Sequence, residues 1–434
     1  MSSIAIGALG MGALLLLLAL RMPIGLALIL VGGVGFAVLV NLPAALSLLG
    51  SEPFTVASFY PLSVIPFFIL MGNLATVSGM GQDLYAAVYA WVGHKRGGLA
   101  TATIAACAGF AALSGSSVAS ALAMGQVALP EMRRYKYDPR LATGCIAAGG
   151  TLGILIPPST GFAVYGILTE QSIGRLFLAG VFPGLLLTGL FIITIALLTR
   201  WRPHYGPPGP ATSMPERLRA LWRATPMVGI VLITIGGIYL GAFTATEAAA
   251  VGAFFALVLA IARRRLTGKA MTGAMLNTVQ TTALVFLILI GANMFTPFMG
   301  VSQIPGELAT LLKELALPRL GVLAIIIFVY IILGMFLEGF AMLVLTLPIV
   351  FPVIIALGYD PIWFGVIMVV VLEMGLISPP VGVNVFVVKG IARDVPMGQI
   401  FAGIIPFWIA MIVCTAILIA FPQIALYLPN TMVR

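Results

Sequence analysis

Charged residues are rare in this chain of 434 residues: Asp, Glu, Lys and Arg together make up only 8% of it. A soluble domain carries about 25%, and a globule of this size needs them to keep its surface in water. The shortage excludes a cytosolic enzyme, a disordered chain and a partner for nucleic acid. Cysteine is nearly absent. Cys107, Cys145 and Cys414 stand apart in apolar segments, so no pair has the spacing of a disulfide framework or a zinc site. The two histidines, His94 and His204, lie in basic loops without a nucleophile or further ligand at useful spacing, which leaves metal and Ser–His chemistry unsupported. No basic n-region precedes the apolar stretch 3–20, so that stretch is expected to be a retained first helix.

Apolar sequence takes the place of charge. Hydrophobic residues make up 61% of the chain, and long runs occupy 3–20, 24–40, 61–79, 99–129, 141–168, 174–199, 226–242, 244–262, 280–298, 318–356, 361–388 and 397–421. Most suit a single helix crossing about 30 Å of hydrocarbon. The runs 99–129 and 318–356 are too long for one crossing. Each carries a break near its middle, Ser114-Gly115-Ser116-Ser117 in one and Glu338-Gly339 in the other. A polar break in such a run favours a re-entrant hairpin that returns to the side it entered. Ten crossings then remain. With Arg21 in the first cytoplasmic loop, only Arg175, Lys313, Arg319 and Arg434 fall outside, and every other Lys and Arg lies within, as the positive-inside rule requires. The net charge of +9 is accounted for by this asymmetry. The stretch 200–225 reads as a polar cytoplasmic connector, and 80–93 as an amphipathic helix lying along the membrane surface.

The chain repeats itself. At an offset of 222 residues Pro130 matches Pro352, Tyr137-Asp138-Pro139 matches Tyr359-Asp360-Pro361, Gly153 matches Gly375, and Pro157-Pro158 matches Pro379-Pro380. With small gaps Gly174, Phe177 and Pro183 match Gly398, Phe401 and Pro406, while Gly72-Asn73 resembles Gly291-Ala292-Asn293. In the charge-derived layout the copies enter from opposite sides, which makes the repeat inverted. The expected fold is therefore an all-α polytopic membrane protein with an inverted repeat, two re-entrant hairpins and two broken helices. Its expected divisions are 1–60 (first spans), 61–199 (first repeat, with hairpin 99–131 and broken helix 140–170), 200–279 (connector and spans) and 280–425 (second repeat, with hairpin 318–357 and broken helix 361–391).

The paired breaks carry the strongest chemical signal. A double proline removes two backbone donors and disfavours helix at the residue before it. The helix should unwind there, freeing carbonyls for a cation while the next half-helix offers its N-terminal dipole to an anion. Hydroxyls at the hairpin tips are hard ligands of the same kind. Small residues there also serve close helix packing, so Ser116 and Ser117 fit either role. Three carboxylates lie within apolar runs: Glu247, Glu338 and Glu373. Such groups are costly, and paired or functional where they occur. Glu247 in FTATEAAAVG has the position of a helix cap. Asn73 and Asn293 suit hydrogen bonds between helices.

Several ordered stretches resemble the large membrane subunit (M subunit) of the tripartite ATP-independent periplasmic, or TRAP, transporters: LRMPIG (20–25), PFFILMGNLA (66–75), SGSSVASALAMG (114–125), YDPRLATGCIAAGGTLGILIPPS (137–159), FTATEAAAVGA (243–253) and LEMGLISPPVGVNVFV (372–387). The family's second break usually reads Thr-Pro-Pro, and Ser378-Pro379-Pro380 keeps the hydroxyl. The resemblance implies a secondary transporter, not an enzyme, that imports small organic acids such as C4-dicarboxylates or sialic acid across the bacterial inner membrane. Na⁺ would be the coupling ion, no organic cofactor is implied, and an elevator-type motion would move the site. It also implies a small membrane subunit (Q), a periplasmic substrate-binding protein (P) and the surrounding lipid as partners. By position, one Na⁺ site would involve Ser114, Gly115, Ser116, Ser117, Gly150, Thr151, Pro157 and Ser159. The other would involve Glu338, Gly339, Ser378, Pro379, Gly382 and Asn384. Substrate would meet Ser116, Ser117, Pro158, Thr160, Gly339, Pro380 and Val381. A stand-alone Na⁺-coupled carboxylate transporter of the same superfamily is the alternative.

Overall fold

The computed structural model describes residues 2–307, 310, 318–337 and 339–432, and every regular element among them is helical. The chain opens with α1 (Ser3–Ala19), α2 (Ile24–Leu39) and α3 (Leu42–Ser58). The first half continues with α4 (Val64–Ser78), α5 (Met80–Val92), the paired helices α6 (Gly98–Ser114) and α7 (Ser117–Arg134), the broken pair α8 (Pro139–Leu155) and α9 (Thr160–Leu168), and the long α10 (Ile173–Trp201). After α11 (Met214–Tyr239) and α12 (Ala245–Ala262) comes α13 (Gly268–Ser302). The second half then runs through α14 (Arg319–Gly334), α15 (Gly339–Ala356), α16 (Pro361–Leu376), α17 (Val383–Ile391), α18 (Met397–Ala420) and α19 (Gln423–Thr431). The order of hairpin, broken helix and long helix thus occurs twice.

Local chemistry explains where these helices start. Asp138 caps α8 by accepting from Arg140 N at 2.8 Å, and Asp360 caps α16 by accepting from Ile362 N at 2.8 Å and Trp363 N at 3.0 Å. Each Asp is followed by a proline in the first helical turn, where no backbone donor is needed. The repeated Tyr-Asp-Pro is therefore one capping device used twice. Tyr137 accepts from Leu99 N at 3.1 Å, and burial pushes its phenol up to about 12. Thr244 and Glu247 close a capping box on α12, so Glu247 serves as a cap.

Helix α19 lies beyond the last expected run, and three further helix positions differ from the sequence expectation. Helix α3 forms in 42–58, where Ser47, Ser51, Glu52 and Pro53 interrupt the apolar pattern; Asn41 caps it through Ala44 N at 2.8 Å. Helix α11 starts at Met214, inside the stretch read as a loop, because Ser213 and Glu216 form a capping box there. Helix α13 starts at Gly268, capped by Thr267, well before residue 280. Among the described residues seven helices are long and apolar enough to cross a membrane alone, and α8 with α9, bent by 42° at their break, pass the same test together. Helices α1, α2, α6, α14 and α16 are apolar but shorter.

Glycine sets the closest helix contacts, as in other membrane bundles. On α2, Gly25 and Gly32 face backbone of α13, whose Gly291 in turn faces Gly25. Gly144 of α8 lies against the carbonyl of Gly403 on α18, which brings the two halves together. One large apolar core extends over both halves, and a smaller cluster joins Leu14, Leu28 and Phe295 to Val344 of α15.

Gly144→Ala drives a methyl group into the Gly403 carbonyl and is expected to cost about 1–3 kcal/mol. Gly229 on α11 has open space around it, and Gly229→Ala is expected to be neutral or to gain up to about 1 kcal/mol. Thermal unfolding of the detergent-solubilised variants, followed by gel filtration, checks both.

Candidate functional site

The tip between α6 and α7 is built from two conformational choices. Gly115 ends α6 in the left-handed region at φ +59°, where a side chain would be strained. Ser116 is extended and caps α7, accepting from Ala119 N at 3.4 Å. The Ser114 and Ser120 hydroxyls are hydrogen-bonded at 2.7 Å. This tip lies on the first break. Residues 156–159 leave the helix as the Pro157-Pro158 pair requires, and they are largely buried. Thr160 donates its hydroxyl to the Gly115 carbonyl at 2.8 Å and its N–H to the same oxygen at 3.4 Å. Gly153, one turn ahead of the break, gives room to the Ser116 carbonyl, and Gly150 to that of Ser117.

The second half repeats the motif with one difference. Gly375 is the repeat mate of Gly153, and it too receives backbone of its hairpin, that of Gly334. Residues 377–382 are unwound, and Gly382 starts α17 at φ +61°. Here, however, Pro379, Pro380 and Val381 are exposed. The Ser378 hydroxyl donates to Met374 O at 2.6 Å and accepts from Trp408 Nε1 at 3.0 Å, so it turns away from the centre. Ser378 and Pro379 line a separate apolar cavity of about 540 Å³ with Met335 and Trp408.

Between the two tips lies a cavity of about 150 Å³. Ser114, Ser116 and Ser117 line it from the first tip, Thr160 and Gly161 from the first break, Gly339 and Phe340 from the second tip, and Leu376 and Val383 from the second break. Asn73 and Thr76 of α4 face it together with Asn277 and Thr281 of α13. None of its described lining residues is charged. Two short helices begin at its wall. Helix α9 is capped by its own Ser159, which accepts from Phe162 N at 3.2 Å, while α17 has no side-chain cap. An anion there meets helix N-termini, hydroxyls and amides. The Gly115, Ser116 and Pro158 carbonyls with the Ser and Thr hydroxyls form an oxygen-rich tip whose chemistry suits a small hard cation.

The sequence-derived candidates divide accordingly. Ser114, Ser116, Ser117, Thr160 and Gly339 converge on the cavity, and Gly115, Gly150, Pro158 and Ser159 pack directly behind them. Thr151 is buried and donates to Ala148 O at 2.6 Å, and Pro157 is buried within the break. Ser378, Pro379, Pro380 and Val381 are not part of the cavity wall. Asn384 is buried beside Val383. Glu338 lies outside the described residues. Asn73, paired above with Asn293, behaves differently from it. Asn73 donates to Thr278 Oγ1 at 2.9 Å and accepts from Asn277 Nδ2 at 2.8 Å, beside the cavity. Asn293 instead donates to Glu52 of α3 at 3.0 Å. Asn277 and Thr281 were not singled out in the sequence, although their i, i+4 spacing on an apolar helix marks a polar face.

An all-helical, multi-pass chain with paired broken helices around a small uncharged cavity defines the class: a membrane transporter. The chain belongs to the family described as "Tripartite ATP-independent periplasmic transporter, DctM component", which it matches over residues 11–424. It is 38% identical over 389 residues to the C4-dicarboxylate TRAP transporter large permease protein DctM of Pseudomonas aeruginosa, covering 89% of this chain and 90% of that one. It is 34% identical over 415 residues to the sialic acid TRAP transporter large permease protein SiaM of Vibrio cholerae, covering 94% and 95%. These relatives are transporter permeases, not enzymes. In fold the chain resembles the YdaH transporter of Alcanivorax borkumensis, with a TM-score of 0.65 and 18% identity over 88% of this chain and 90% of that one.

Gly115→Ala forces a left-handed alanine whose Cβ would stand 3.0 Å from the Pro158 carbonyl oxygen. The expected cost is about 1–2 kcal/mol, seen as a lower unfolding temperature in detergent; Gly390→Ala, in open space, is the control.

Proposed function

We propose that the chain is the large membrane subunit of a tripartite secondary importer of small organic acids in the bacterial inner membrane, driven by a Na⁺ gradient. A small membrane subunit and a periplasmic substrate-binding protein would complete it. The observation that carries this reading is the cavity between the two hairpin tips. Both half-helix starts border it, and hydroxyls and amides share a mainly apolar wall that holds no described charged residue. Such a site holds a carboxylate by helix dipoles and hydrogen bonds, and a cation bound nearby offsets the anion's charge. Na⁺ would be held by the oxygens of Ser114–Ser117 against the 150–160 break, and by the second tip against 378–384. Substrate would lie between the tips, in contact with Ser116, Ser117, Thr160 and Gly339.

Alternating access would follow from the repeat. Hairpins and broken helices would move as one body past α4 and α13, whose Asn73, Thr76, Asn277 and Thr281 form the facing wall. The acids named for the relatives, C4-dicarboxylates and sialic acid, share a carboxylate and define the substrate class to test first.

The test is uptake of a radiolabelled acid into proteoliposomes holding all three components. An imposed Na⁺ gradient is expected to drive accumulation, and Ser116→Ala or Pro158→Ala to abolish it while the protein remains folded by gel filtration. Full Na⁺-driven uptake by either variant removes the site assignment. Uptake without the binding protein would instead indicate a stand-alone transporter.

A further inference from the structure

Away from the hairpin tips, a basic cavity of about 330 Å³ lies where α8, α10 and α18 meet. Arg140 at the start of α8, Trp201 and Arg202 at the end of α10, Tyr205 just beyond, and Ala402 and Pro406 of α18 line it. Gly403 lies against the Arg140 carbonyl and so holds the start of α8 on α18. Arg202 is fixed on Tyr205: it donates to the phenol oxygen at 2.6 Å, and its guanidinium lies 5.3 Å from the ring centre. Among the described residues neither guanidinium pairs with a carboxylate. Asp138, the acid nearest to Arg140 in sequence, accepts from the Arg140 backbone N–H instead. Both arginines are exposed.

The apolar cavity of about 540 Å³ beside Ser378 continues on the same helix, and Ala402 borders both cavities. From Ala402 it extends about 9 Å along α18 to Trp408, past Ile405, which is exposed, and opposite Met335 of the second hairpin. No charged residue lines it. The charge-derived layout puts Arg140, Arg202 and the start of α18 on the cytoplasmic side. The basic cavity therefore lies at the level of the inner-leaflet head groups, with the apolar one reaching deeper into the bilayer. Trp201 and Tyr205 are residues that favour this interface. An anionic group fits the first cavity and an alkyl chain the second, in the order in which an inner-leaflet phospholipid presents them.

We propose that α8, α10 and α18 form a binding site for one anionic glycerophospholipid of the inner leaflet. Its phosphate lies between Arg140 and Arg202, and one acyl chain runs along α18 into the apolar cavity. Arginine pairs phosphate oxygens through its forked N–H donors, and basic pockets between helices on the cytoplasmic side favour anionic head groups. A zwitterionic head group brings its own cation and neutralises the arginines less well. A soluble anion leaves the apolar cavity unfilled. Helix α8 belongs to the first repeat and α18 to the second, so the lipid joins the two halves at the seam where Gly144 meets Gly403. The inference is independent of the ion and the substrate assigned to the cavity between the tips.

Native mass spectrometry of the purified full-length chain, delipidated in detergent and titrated with dioleoylphosphatidylglycerol, tests it. The wild type is expected to retain one such lipid under activation that strips dioleoylphosphatidylcholine. Combining Arg140→Gln with Arg202→Gln is expected to weaken retention about tenfold or more. Arg219→Gln, on an exposed part of α11 outside the cavity, is expected to leave it unchanged. If the double variant aggregates on gel filtration, Ala402→Trp fills the junction of the two cavities without removing a charge and is expected to lower retention. A folded double variant, or a folded Ala402→Trp, that holds the lipid as the wild type does overturns the proposal. Equal retention of the two lipids by the wild type also overturns it. Displacement of the lipid by millimolar inorganic phosphate would assign the arginines to a soluble anion and overturn it as well.

Discussion

Peptide groups released from a helix inside an apolar interior must find partners within the protein, because hydrocarbon offers none. The two Pro-Pro breaks place that demand at the centre of this chain. The structure meets it by laying a hairpin against each one. Thr160 ties the first break to the Gly115 carbonyl with two hydrogen bonds. Gly153 and Gly375, at matching places in the repeat, have no side chain, so hairpin backbone can lie directly on each broken helix. The cavity, the helix ends beside it and the hydroxyls in its wall follow from that packing.

The two halves meet the same demand unequally. The first break is buried and its half-helix capped by Ser159, whereas the second leaves Pro379, Pro380 and Val381 exposed and α17 without a side-chain cap. Trp408 draws the Ser378 hydroxyl outward. The second half holds the buried Glu373 and Asn384 instead. Sequence symmetry thus became two environments, one closed by hydrogen bonds and one with polar groups left to spare.

Much of this was legible in the residues. Tyr-Asp-Pro marks a helix start by capping chemistry that acts within a few residues, and the double prolines mark breaks by removing donors locally. The stretch 80–93 does form a helix, α5, and Glu247 is a cap. Helix α3 was hidden because Ser51, Glu52 and Pro53 blur its apolar pattern, and α11 because prolines and arginines ahead of its capping box resemble a loop. The pairing of Asn73 with Asn293 followed from spacing alone. It did not foresee that Asn277 would be the residue facing Asn73 across the cavity wall.

By itself the sequence determined the all-helical membrane class, the repeated motifs, the breaks and the residues at the first hairpin tip. Those features depend on composition, on donors that proline lacks and on interactions within one helical turn. Only the tertiary structure decided which tip residues share a cavity, that Ser378 turns toward Trp408, and that Glu373 and Asn384 are buried without partners. These outcomes depend on the register between helices far apart in the chain. That register is set by glycine contacts such as Gly144 on Gly403 and Gly375 on Gly334, whose partners no local pattern identifies.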